Sequence, residues 1–421
     1  MKIVHPICCG MDIHKNIIVA TIATTDKNGI TTYSQQSFST MNSDVIKLRD
    51  WLLQNNCKKA CMESTGKYWI PIWNILESEI ELTLAHPKYT KAIKGKKTDK
   101  KDSKWIADLF KHDLVPNSFI PPKDIRMLRD LSRYRYKLTY IKVSEKNRIQ
   151  NCMTMSNIRI DSVLTDPFGK SARNIMNDVL NNSNFNVDDI SKHLKKSALK
   201  KEDQIKSALQ DFSISSDQHL KMEIAYNHLD CIDEYISSIE KELNNLVSPY
   251  ENYISLLSSI PGLQRRSIIA VLSETGVDMT QFVDSKHFAS WAGLAPTNNE
   301  SAGKKHSVRI SHAGVYLKSL LVQVALNSIR DSSNNYFTLK YNILKKRRGH
   351  KKAIIAIARM ILVSIYHILL NGETFKPYDF DELVNPIVKE HSSSLALTDE
   401  EMINILISKG YSIQPNKHCN E

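Results

Sequence analysis

Apolar residues in the first 115 positions fall in short runs of strand length, broken by turn residues and by segments of helical period. Residues 3–11 and 17–24 read as strands, the second rich in β-branched side chains. Asp26-Lys27-Asn28-Gly29 is a turn signal, so 17–24 and a third strand over 30–39 should form a hairpin. Asn42-Ser43-Asp44 is expected to cap a helix that carries Val45, Leu48, Trp51 and Leu52 at helical spacing. A strand over Lys59–Glu63, a helix over 68–77, a strand over Glu81–Ala85 and a helix over 102–113 follow. The order is three strands, helix, strand, helix, strand, helix, which makes this an α/β segment.

From Pro121 the pattern turns helical. Residues 124–151 carry Ile125, Leu128, Leu131, Leu138 and Ile141 among Arg126, Arg129, Arg133, Arg135 and several lysines, with Tyr134, Tyr136 and Tyr140 interleaved. Two readings stand: a basic helix facing nucleic acid, or a surface helix whose basic face is merely solvated. Residues 161–215 are polar and rich in Ser and Asn, and predict variable helices and loops. Met222, Ala225, Leu229, Ile232, Ile236, Ile239, Leu243 and Leu246 then repeat with 3-4 spacing up to Pro249. That heptad predicts a coiled coil, dimeric or as an intrachain hairpin, with a plain core helix as the alternative. No apolar run approaches the ~18 residues that a membrane span requires. The domain plan is therefore 1–120, 121–250, 251–375 and a tail over 376–421.

Charge narrows the class of partner. Among 421 residues, Lys and Arg number 57 against 45 Asp and Glu, a formal net charge of +12. Phosphate-rich partners suit that balance. Lysines cluster between Lys88 and Lys104, and six of the eight residues from Lys345 to Lys352 are Lys or Arg. The seven cysteines form no Cys-x-x-Cys pair, which predicts reduced, mostly buried thiols and no zinc site. The first residues show no signal-peptide pattern, so a cytoplasmic, nucleoid-associated bacterial protein is expected.

Four acids stand where chemistry is expected. Asp12 follows the first apolar run, Glu63 ends a short strand, and Asp99 and Asp102 precede or open an amphipathic helix. Carboxylates at strand ends and a helix start converge readily, and hard oxygen ligands so gathered hold magnesium. Asp99 and Asp102 are three apart and share a face on a helical turn. Asp108 is an alternative to Asp99. This element order, with its acids, resembles the ribonuclease H-like fold, which includes the Holliday-junction resolvases.

Further along stand four short elements, Pro261-Gly262, Gly293-Leu294-Ala295-Pro296, Ser301-Ala302-Gly303 and Arg309-Ile310-Ser311-His312-Ala313-Gly314. Together with the four acids they resemble the DEDD-type insertion-sequence transposases (insertion-sequence family one-hundred-and-ten). The match covers roughly 7–150 and 250–370. It departs at His14, at Val315-Tyr316 and at Lys318. The resemblance implies a ribonuclease H-like α/β domain with magnesium held by Asp12, Glu63, Asp99 and Asp102, a helical linker, and a mainly helical transposase domain.

It further implies that Ser301 becomes covalently joined to DNA, and that an element-encoded guide RNA pairs with donor and target double-stranded DNA. Lys15, Lys94, Lys97, Arg126, Arg129, Arg133, Lys304, Lys305 and Arg309 are the candidate phosphate contacts. A homodimer or tetramer through the coiled coil is expected, with the acids and the serine meeting in a composite site. A structure-specific junction nuclease working through the carboxylates alone is the alternative, and a non-catalytic nucleic-acid scaffold is a third reading.

Overall fold

The computed structural model describes residues 2–63, 66–90, 98–182, 184–296, 299–301, 304–307, 309–330, 336–384 and 399–412, with backbone alone at 88–89, 196, 299–301, 304–307 and 399. The chain divides into two compact units, Met1–Pro122 and Lys123–Glu421.

The first unit runs β1 (Ile7–Ile13), β2 (Ile17–Thr25), β3 (Thr31–Ser39), α1 (Asn42–Gln54), β4 (Lys59–Glu63), α2 (Trp69–Leu76), β5 (Glu81–Ala85), α3 (Pro87–Thr90) and α4 (Asp99–Lys111). Its sheet has the order β3-β2-β1-β4-β5. β1–β2 and β2–β3 pair antiparallel, while β1–β4 and β4–β5 pair parallel. The expected hairpin turn forms. Gly29 adopts φ +82°, and the Asp26 carboxylate accepts from the Asn28 and Ile30 amides at 2.9 and 2.8 Å.

Side chains alternate across a strand, so β1 feeds two cores. Cys9, Met11 and Ile13 pack with Leu48 and Leu52 of α1 and Ile72 and Leu76 of α2. Cys8 points to the other face, with Cys61, Ala85 and the α4 residues Ile106, Ala107 and Phe110. Gly10 and Asp12 share that second face by the same period. A Cβ on Gly10 would lie 2.3 Å from the Ala107 nitrogen and from the Ser103 carbonyl, so only glycine lets α4 seat here. Polar contacts set the register of the seat. Thr21 and Ser103 hydroxyls meet at 2.7 Å, and the Gln35 amide donates to Thr21 (2.7 Å), Ser103 (3.1 Å) and the Lys100 carbonyl (2.8 Å). Five cysteines are buried as free thiols, and burial pushes Cys8, Cys57 and Cys61 up to about 12.

Two local expectations are corrected. α4 begins at Asp99 rather than Asp102, because Thr98 caps it by accepting from the Lys101 amide at 3.4 Å. The cap residue of α1 is Met41, without a side-chain bond. Asp44 instead accepts from the Ser39 hydroxyl at 2.6 Å.

The second unit runs α5 (Lys123–Met155), α6 (Ile160–Val163), α7 (Lys170–Asn181), α8 (Glu202–Ala208), α9 (Ser216–Leu246), α10 (Glu251–Leu257), α11 (Arg265–Thr275), α12 (Ser285–Trp291), β6 (Asn299–Ser301), β7 (Lys304–Ser307), α13 (Val315–Ser328), α14 (Tyr336–Arg348), α15 (His350–Asn371), α16 (Phe380–Val384) and α17 (Asp399–Ser408). α5 and α9 lie antiparallel, as the pairs Arg135–Glu240, Lys142–Asp233 and Glu145–His228 require. The heptad seam of α9 therefore meets α5 of the same chain. Met222, Ala225, Leu229, Ile232 and Leu243 are all at most 4% exposed within the chain. Ile236, Ile239 and Leu246 of the same heptad are half-buried.

The polar stretch 161–215 is more ordered than expected. Ile160, Ile175, Ile190, Ile205 and Leu209 build a core against Ile149 and Cys152 of α5 and Met222 and Leu229 of α9. Their spacing among polar residues hid it, since each helix there is short. A larger core gathers Leu257, Ile268, Phe288, Leu321, Ile357 and Ile361. α15 corrects the expectation about apolar runs. By length and composition it is apolar enough to cross a membrane, yet Ala353, Ile357, Ala358, Ile361, Leu362 and Ile365 fill this core.

The seat of α4 yields a prediction. Gly10→Ala should destabilise the first unit by about 1–3 kcal/mol through overpacking against helix backbone. Denaturant unfolding followed by tryptophan fluorescence reads it, because Trp51, Trp69, Trp73 and Trp105 lie in that unit. An unchanged midpoint would mean that α4 is not seated on β1.

Candidate active site

The seat places the first turn of α4 beside the end of β1. Ligand atoms of Asp12, His14 and Asp99 lie within 4.8 Å of one another. His14 Nε2 stands 3.3 Å from Asp12 and 3.6 Å from Asp99. Glu63, at the end of β4, accepts from the buried Thr90 hydroxyl at 2.8 Å. Burial raises the Asp12 carboxyl above its ordinary range; nearby His14 opposes the shift, and Asp99, Asp102 and Glu63 add to it. All four expected acids thus act on one point, with the tightest group formed by two of them and His14. Asp108 turns elsewhere, bonded to Tyr33 (2.6 Å) and Lys111 (2.9 Å).

A buried carboxylate crowded by three others calls for a cation. The donor set is mostly carboxylate oxygen with one imidazole nitrogen, which fits a divalent metal such as magnesium or manganese. Asp12, Asp99 and His14 are the residues whose ligand atoms lie close enough together to hold it, while Asp102 and Glu63 add negative charge around Asp12.

In the second unit, the sequence elements around Ser301 assemble through glycine. Gly293 (φ +70°) and Gly314 (φ +66°) lie back to back: a Cβ on the first would meet the Ala313 carbonyl at 2.3 Å, one on the second the Ala292 carbonyl at 2.1 Å. Pro296 and Ile310 then pair as an antiparallel bridge. Between them rises the β6–β7 hairpin, in which Ser301 pairs with Lys304. Ser301 is therefore the last residue of β6. The side chains of Ser301, Lys304 and Lys305 lie outside the described residues, as do Ala302 and Gly303. Pro261-Gly262 braces the same core: the Ser328 hydroxyl donates to the Pro261 carbonyl at 2.8 Å.

The expected phosphate contacts divide. Lys15 and Arg309 are exposed and Arg126 is half-buried, while Lys94 and Lys97 lie outside the described residues. Arg129 and Arg133 differ from the expectation: they face protein. Arg129 donates to the Ser273 and Glu274 carbonyls at 3.0 and 2.6 Å. Arg133 makes a bidentate pair with the buried Glu274 carboxylate at 2.7 and 2.8 Å. The basic helix is thus neither wholly nucleic-acid-facing nor merely solvated, since acids of α9 and α11 hold several of its cations. Sequence reasoning passed over His14, although Asp12 and His14 are two apart near a strand end and so share a face. It also passed over Glu274, which the i, i+4 spacing of Arg129 and Arg133 signals as a common acceptor.

Two predictions follow from this geometry. Because the Asp12 pKa is raised, protons compete for it at higher pH than at an ordinary carboxylate. Manganese affinity, read by electron paramagnetic resonance, should therefore fall as pH drops, weaken in His14→Ala and vanish in Asp12→Asn. A pH-independent affinity would refute the site. Separately, Glu274→Ala removes the carboxylate that Arg133 donates to, while Arg129 keeps its two backbone carbonyls, and should cost about 1–3 kcal/mol in denaturant unfolding. A loss below about 1 kcal/mol would mean that the pair is not structural.

Comparison with known proteins places these elements. A family model described as a transposase, of the DEDD IS110 type, matches residues 9–158. A second, described as the transposase IS116/IS110/IS902 family, matches 254–341. The transposase for insertion sequence element IS1111A of Coxiella burnetii is 30% identical over 147 residues, 34% of this chain and 40% of that protein. The pilin gene-inverting protein of Moraxella lacunata is 29% identical over 147 residues, 33% of this chain and 45% of that protein. The alignments thus span less than half the length of these relatives. The first family model spans the first unit and runs on through α5, the second lies within the second unit, and together they cover more than half of the sequence; the chain belongs to the IS110 family of transposases.

Proposed function

We propose that this chain is a DNA transposase that cuts and rejoins strands, with a ribonuclease H-like acidic site and Ser301 as nucleophile. The observation that carries the reading is the convergence of Asp12, Asp99, Asp102 and Glu63 at the end of β1. The strand order β3-β2-β1-β4-β5, with the first three strands antiparallel, supports the fold assignment. The resident ion is proposed to be magnesium, with Asp12, Glu63, Asp99 and Asp102 as its ligands and His14 beside them. When bound it neutralises phosphate charge and favours the deprotonated nucleophile.

In the proposed step, Ser301 Oγ attacks the scissile phosphorus. A new Oγ–P bond forms as the P–O bond to the departing sugar oxygen breaks. The hydroxyl proton goes to a base, and the departing oxygen takes up a proton. A phosphodiester is exchanged for a phosphoserine diester of similar energy, so a second hydroxyl can reverse the step on another strand. Lys304, Lys305 and Arg309 follow Ser301 closely in sequence, and such cations offset the added negative charge of the pentacovalent phosphorus. Lys15, Arg126 and the exposed run over 345–352 would grip the backbones of donor and target DNA. Guidance by an element-encoded RNA, and a composite site in which two copies contribute acids and serine, belong to the same proposal.

Labelled target DNA with magnesium and the element's transcript, run on a denaturing gel, tests it. Wild-type protein should give a slow, protease-sensitive band, falling to background in Ser301→Ala and in Asp12→Ala. Free nicked DNA that survives Ser301→Ala but not Asp12→Ala would replace the serine mechanism with carboxylate-only hydrolysis. Mixing the two variants should restore the band when the site is composite.

A further inference from the structure

Three tyrosines of the second unit form an open cluster that the proposed chemistry does not use. Tyr136 and Tyr140 of α5 lie 5.0 Å apart between ring centres, with their hydroxyls 3.2 Å apart. Tyr316, in the first turn of α13, meets Tyr136 edge-on at 5.2 Å. The Arg133 guanidinium sits 4.6 Å over the Tyr316 ring. With Lys137, Ile141 and Val315 these rings line a shallow depression. Tyr140 is 64% exposed and Val315 61% exposed. Tyr136 and Tyr316 are half-buried beside them, so the cluster presents ring and hydroxyl to solvent instead of closing into a core.

We infer that this cluster is a stacking platform for an unpaired base of the DNA strand beside the serine hairpin. Aromatic rings interleaved with cations suit a nucleobase and its phosphate, because every base offers a π-face while lysine and arginine follow the backbone. A protein partner would find the exposed Lys137 ammonium and the tyrosine hydroxyls on the rim instead of a dry one. Position favours DNA further. Val315 and Tyr316 directly follow Gly314, whose loop is locked against Gly293 and bridges Ile310 to Pro296 at the base of the β6–β7 hairpin. A strand joined to Ser301 would pass this point, and the exchange of strands requires bases there to be unpaired. The inference rests on the DNA-cutting reading for which nucleic acid arrives, and on its own geometry for where a base docks.

The test is binding of the full chain to a single-stranded DNA oligonucleotide carrying 2-aminopurine, to its duplex, and to RNA of the same sequence. Tyr140→Ala should weaken single-strand binding about five- to a hundredfold, the range of one lost base stack, and abolish quenching of the 2-aminopurine. Tyr140→Trp should restore both, and duplex affinity should change less than twofold. Equal loss for duplex and single strand, loss confined to the RNA arm, or no loss would overturn the platform. So would a change in sedimentation of the protein alone with DNA binding intact, which would make the patch a self-association surface. Ser301→Ala should keep the quenching. A wild-type protein that quenches through Tyr140 yet forms no covalent adduct would refute the serine mechanism and leave the platform standing.

Discussion

The contact between α4 and the centre of β1 carries the candidate site. At Gly10 helix backbone approaches strand backbone so closely that no side chain fits between them. Small residues complete the fit: Cys8, Ala23, Cys61 and Ala85 from the sheet, Ser103 and Ala107 from the helix. That closeness brings Asp99 and Asp102 to the end of β1, where Asp12 is already buried. The Thr21–Ser103–Gln35 cluster keeps the helix from sliding by a turn, which would carry both acids away along the sheet.

Crowding like charges around the buried Asp12 carboxylate costs stability that a bound cation would offset. Burial first, and like charges after it, lift the proton affinity of Asp12, while His14 tempers the effect. The N-terminus of α4 adds a partial positive charge beside Asp99 and Asp102, as a helix start does for any acid in its first turn. The site therefore shows the raised proton affinity and crowded charge that mark a candidate functional site.

The second unit solves a different problem, that of holding a small hairpin on a helical body. Gly293 and Gly314 permit backbone-to-backbone contact, and one bridge at Pro296–Ile310 starts the hairpin that ends at Ser301. Beneath it, Arg129 and Arg133 tie α5 to the end of α11 through Glu274. The paired cations Arg135 and Lys142 tie α5 to α9. Cations that read as a nucleic-acid face in sequence are in good part the fastening of this body.

Much was legible in the chain alone, because local chemistry governs it. β-branched runs, the Asp26–Gly29 turn and helical spacing specify β2, β4 and β5 nearly to the residue, and the C-terminal end of α9. Asp12, Glu63, Asp99 and Asp102 could be singled out because they sit at the ends of such elements. Tertiary packing decided what these residues meet. It recruited His14, turned Asp108 away to Tyr33, gave the α9 seam to α5, buried the apolar α15, and ordered 161–215 around isolated apolar residues. The physical reason is range: period, cap and turn act over a few residues, whereas an ion pair such as Arg133–Glu274 or the Gly10–Ala107 approach joins positions that only the folded chain brings together.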